Sequence, residues 1–103
     1  MFKINNEEWR VVLVDPLHPC LLRSDGTLSI GACDDITGKI YISKNLPSSL
    51  LKRVLCHEIV HAAMFSYNVE LKYEEEELLA DLVATYGEEI INITNQVFSK
   101  IKR

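Results

Sequence analysis

The sequence predicts an α+β fold: a small antiparallel sheet of three or four strands, then two helices. Three observations predict it. Short β-branched segments separated by Pro, Gly and Asp turn signals fill the chain as far as Ser43. Beyond Pro47, apolar residues recur at helical spacing. At 103 residues, with 48% hydrophobic and 25% charged residues, the chain suits one domain, 1–103, around a single core.

Trp9 to Val14 is β-branched, and Asp15-Pro16 ends it. Pro16-Leu17-His18-Pro19 reads as a loop, because two prolines cannot donate to a sheet ladder. Cys20 to Arg23 reads as a short strand, and Asp25-Gly26 as a tight turn. Thr27 to Cys33 follows as a strand. Asp34 to Gly38 turns the chain, and Lys39-Ile40-Tyr41-Ile42-Ser43 alternates as a half-buried strand does. Pro47 fits the first turn of a helix running to about Tyr67, with Asn68 as a left-handed stop. A second helix begins near Tyr73, where Glu74 to Glu77 complement the helix dipole. Its apolar stripe is read as Leu78, Leu79, Leu82, Val83, Tyr86 and Ile90, with Gly87 a candidate kink.

Composition excludes several classes of function. A net charge of −4 and the lack of a basic patch argue against a nucleic-acid partner. No apolar run reaches the length of a membrane span. The segment from Met1 to Glu8 lacks the apolar core of a secretory signal, so the chain is expected to be cytoplasmic. The three cysteines, Cys20, Cys33 and Cys56, are odd in number and contain no CxxC pair, which disfavours disulfides and a cysteine zinc site.

The chemistry-bearing motif is His57-Glu58-Ile59-Val60-His61. On a helix, residues four apart share a face. Two imidazoles at that spacing can hold one zinc ion, and the intervening glutamate can reach a water on the metal. The flanking residues, Val54-Leu55-Cys56 and Ala62-Ala63-Met64-Phe65, are apolar, and buried imidazoles and carboxylates need a partner. A hydrolytic zinc site takes three protein ligands. Glu77 is the leading third ligand, with Glu74, Glu76, Asp81 and His18 as alternatives. A carboxylate that does not bind the metal can orient a ligand histidine. Ala80 and Ala84 flank Glu77 and would let another helix come close.

His57-Glu58-x-x-His61 followed by Glu77-Leu78-Leu79-Ala80-Asp81 resembles the HExxH…ExxxD pattern of the gluzincin metallopeptidases. The order of sheet, motif helix and acidic helix is similar to that of small bacterial and phage metallopeptidases of the ImmA/IrrE type. The resemblance spans roughly residues 27 to 90 and implies a minimal zincin fold. It also implies zinc on His57, His61 and Glu77, with Glu58 as general base and Asp81 supporting the first histidine. The strand before the motif helix, Ile40 to Ser43, resembles the zincin edge strand, expected to pair with an extended peptide or protein substrate. Tyr67, Tyr73 and Tyr86 are candidate donors to the oxyanion. Two other readings stand beside zinc-dependent peptide hydrolysis. One is a zincin-like module that binds a protein or peptide without turnover. The other is a structural zinc domain completed by a fourth ligand such as His18.

Overall fold

The computed structural model describes residues 1–102. Strands β1 (Phe2–Ile4) and β2 (Glu7–Val14) form a hairpin. A single 3-10 turn (Pro19–Leu21) precedes β3 (Gly31–Asp34) and β4 (Lys39–Ser43). Helices α1 (Ser48–Ser66) and α2 (Tyr73–Ile101) complete the chain. The architecture is α+β, with a four-stranded sheet in the order β1-β2-β4-β3 followed by two helices.

The hairpin between β1 and β2 turns on Asn5 and Asn6, both left-handed, with φ of 49° and 66°. Two successive left-handed residues suit the right-handed twist of a two-residue hairpin, and asparagine tolerates them. The outer pairs of the sheet are antiparallel, but β2 and β4 run parallel. The wholly antiparallel sheet expected from the sequence is therefore a mixed one. The segment between Val14 and Gly31 carries the chain past one strand position, and β4 returns to fill the gap. β4 thus lies in the centre, and β3 forms the edge that Ile40 to Ser43 was expected to form.

The segment from Cys20 to Arg23 holds the 3-10 turn and one bridge, Leu22 to Leu28, rather than a strand. Pro19 occupies the first position of that turn, where its missing N–H costs nothing. The Asp25-Gly26 turn forms as read, with Gly26 at φ 88°.

One face of the sheet packs on α1. Trp9, Ile40, Ile42, Val54 and Ala62 are its buried centre, joined by Phe2, Ile4, Leu51, Leu55 and Ile59. The indole N–H of Trp9 donates to Ser66 Oγ at 2.9 Å, and Asn5 Nδ2 donates to the Ser66 carbonyl at 3.0 Å. These bonds pin the hairpin to the end of α1. Helix α1 stops where expected: Asn68 is left-handed at φ 55°, and its N–H returns to the Phe65 carbonyl.

Helix α2 runs unbroken through Gly87 and lies against α1 by a face other than the one read from its stripe. Ala80 is fully buried; of the stripe, Leu79 and Val83 are half-buried, whereas Leu78, Leu82, Tyr86 and Ile90 are exposed. The small Ala80 lets the helices approach closely, and that approach carries the neighbouring carboxylates inward. Lys52 and Glu88 bridge the two helices at 2.8 Å.

Replacing Ser66 by alanine leaves the buried Trp9 N–H without its partner. Ser66→Ala should lower unfolding free energy by about 1–3 kcal/mol in urea titrations. An unchanged midpoint would show that the bond contributes nothing.

Candidate metal centre

The motif histidines lie on the flank of α1 that faces α2, one turn apart. Glu58, between them, turns towards the sheet and is 7% exposed. The Nε2 atoms of His57 and His61 stand 3.2 Å apart. Glu77 Oε1 lies 2.6 Å from His61 Nε2 and 3.5 Å from His57 Nε2. His57, His61 and Glu77 therefore form a group that could hold a metal ion.

The other nitrogens are also engaged. His57 Nδ1 lies 2.9 Å from Asp81 Oδ1, and His61 Nδ1 lies 2.5 Å from Glu76 Oε2. An ionised carboxylate only accepts, so each Nδ1 must donate. That fixes the tautomer of both rings and leaves the Nε2 lone pairs facing each other and the Glu77 oxygen. Three electron-rich atoms in such proximity repel unless a proton or a cation sits among them. Two imidazole nitrogens and a carboxylate oxygen suit a borderline divalent cation. The donor set thus fits a metal on its own chemistry.

The electrostatics agree. Burial alone would lower the His61 pKa, but its bond to Glu76 and the charges of Glu58 and Glu77 raise it above the usual histidine value. Burial raises the Glu58 pKa above the usual carboxylate value, opposed in part by His57 and His61. Burial, reinforced by Glu58 and Asp35, holds the Cys33 thiol up at about 12. Cys33 lines the same cleft and stays a protonated thiol at neutral pH.

Among the alternatives for the third ligand, His18 stands apart. Its Nδ1 accepts from the Cys20 N–H, and its ring stacks on Tyr41. Glu74 is exposed, while Glu76 and Asp81 bind the outer nitrogens of the rings. Of the three tyrosines named above, Tyr73 lines the cleft; Tyr67 and Tyr86 do not. Sequence reasoning weighed Glu76 only as a ligand, not as the partner of His61. The adjacent pair Glu76-Glu77 was the available signal, since neighbours about 100° apart on a helix can reach different atoms of one site.

Gly31 was missed altogether. A Cβ there would meet Val54 Cγ1 at 2.8 Å and Glu58 Oε2 at 3.1 Å. Only glycine lets the β3 backbone pass this close over Glu58. A glycine in a strand pattern often marks such an approach.

Comparisons of the chain with protein-family models, curated proteins and solved structures find no match. The site is compatible with a zincin-like centre on its own geometry.

Removing either outer carboxylate should loosen ring orientation. Asp81→Asn and Glu76→Gln are each expected to weaken divalent-metal affinity by about 10–100-fold in competition with a chromogenic chelator. Affinity equal to wild type in both variants would separate these carboxylates from metal binding.

Proposed function

We propose that this chain is a zinc metallopeptidase that hydrolyses peptide bonds in a peptide or protein substrate. His57, His61 and Glu77 hold the zinc, Glu58 is the general base, and Asp81 and Glu76 orient the rings. One observation carries the reading: a half-exposed group of two Nε2 atoms and one carboxylate oxygen lies beside a buried glutamate in an open cleft.

Zinc held by His57, His61 and Glu77 would supply Lewis acidity for activating a water and polarising a peptide carbonyl. Glu58 takes the proton from the attacking water and returns it to the leaving amine. Its burial favours that role by raising its proton affinity. The protonated Cys33 thiol supports water, not a thiolate, as nucleophile. Of the three tyrosines, Tyr73 lines the cleft and is the candidate donor to the oxyanion.

The edge strand β3 supplies a docking line for the substrate backbone. Its residues Gly31, Ala32 and Cys33 line the cleft with His57, Glu58 and His61. Its other side is taken by β4, with Ala32 opposite Tyr41 and Asp34 opposite Lys39. A substrate can add to the outer side as a further strand, which binds through main-chain groups and tolerates varied side chains.

A structural zinc domain would need a fourth protein donor, and His18 lies elsewhere. The test against a binding module is Glu58→Gln. It should retain one equivalent of zinc and lose about 10²–10⁴-fold in cleavage of a quenched fluorescent peptide library. Chelating the zinc should abolish wild-type cleavage. Undiminished turnover in Glu58→Gln, or turnover indifferent to chelation, contradicts the proposal.

A further inference from the structure

We infer that the cleft selects peptides with an apolar residue before the scissile bond and a carboxylate within about two residues after it, held by Arg53 and Arg23. The inference rests on the peptidase reading and adds the substrate class. Its basis is the sequence of side chains along α1. Arg53, His57, His61 and Phe65 recur every four residues, so they form one row along the helix. Each step advances about 6 Å. A guanidinium, two imidazoles and a phenyl ring therefore mark the two ends and the middle of the cleft.

The walls repeat this order. At one end the cavity is lined by Arg53 and Arg23 beside Leu50 and Thr85. At the other it is lined by Leu22, Phe65, Val69 and Tyr73, with Asp35; Arg23 borders both ends, and Arg53 borders the first alone. Glu77 and Asp81 also line the arginine end, yet both are engaged with the imidazoles. Among the described residues neither arginine forms an ion pair. At this end the two guanidiniums without an ion-pair partner stand beside Glu58, Glu77 and Asp81, whose negative charge a bound divalent cation would offset. The guanidiniums are placed to take a carboxylate from outside, and arginine does so through paired hydrogen bonds.

Strand direction sets which side of the bond meets which end. Ser29 and Gly31 border both ends, Ile30 the arginine end alone, and Ala32, Cys33 and Asp35 the phenylalanine end alone. The strand therefore runs alongside α1 in the same direction. A substrate added antiparallel, the slightly more stable pairing, runs the opposite way. Its N-terminal side lies by Phe65 and its C-terminal side by Arg53. One helical step from His57 to Arg53 equals about two residues of extended peptide. Either an Asp or Glu side chain or a free C-terminal carboxylate at that distance meets the same two arginines.

The test uses zinc-loaded full chain and quenched fluorescent peptides with Leu before the cut site, located by mass spectrometry. The second residue after it is Glu, Gln or Lys, with the C-terminus amidated; a further Gln peptide ends there as the free acid. Wild type should favour Glu, the free acid, or both over amidated Gln by on the order of tenfold in kcat/KM, the scale of one charged contact. The arm that responds identifies the carboxylate's source. Arg53→Glu, with zinc content unchanged, should move the preference to Lys, a gain that misfolding cannot mimic. Equal cleavage of all four peptides by wild type, or the same ranking in Arg53→Glu, overturns the inference and leaves the peptidase reading intact. Cleavage of none of these peptides, nor of the quenched library, refutes the peptidase reading itself.

Discussion

The mutual repulsion of three electron-rich atoms, held together by the packing of α2 on α1, is the constraint on which the rest of the site depends. Two Nε2 lone pairs and the Glu77 oxygen share a space only a few ångströms across. Asp81 and Glu76 occupy the opposite nitrogens and so prevent the rings from turning away. Four carboxylates, counting Glu58, surround two imidazoles. A divalent cation bound there would relieve the lone-pair repulsion and the excess negative charge together, so metal binding should couple to the docking of α2. The fully buried Ala80 makes that docking close enough.

The sheet serves the site from the other side. Its face fixes α1 through Ile40, Ile42 and Trp9, and its edge strand β3 closes over Glu58. Gly31 allows that closure and keeps the glutamate away from solvent on one side while the cleft stays open on the other. Placing the parallel pair β2–β4 in the interior leaves β3 free at the rim beside the histidines. The mixed topology thus gives the cleft a strand with one unpaired edge.

Local chemistry was legible in the sequence, and long-range placement was less so. The four-residue spacing of His57 and His61, the start after Pro47 and the left-handed Asn68 follow from helix geometry within a few residues. The Asn5-Asn6 hairpin was passed over because its signal lacks the glycine that usually marks such a turn. The parallel pairing was not readable, since no local pattern says whether the segment before Gly31 skips a strand position. The face of α2 was misjudged for a physical reason. Apolar periodicity normally points to the core, but here the inward face is reserved for Glu76, Glu77 and Ala80. The imidazoles of α1 are the partners that make burying those carboxylates favourable, and a helix read alone does not reveal them.

The most direct measurement is X-ray absorption at the zinc edge on the zinc-loaded protein. The account predicts two imidazole nitrogens, one carboxylate oxygen and one further light donor from solvent, at about 2.0–2.2 Å. A sulfur scatterer at about 2.3 Å, which would bring in Cys33, or a third imidazole, which would bring in His18, would contradict it.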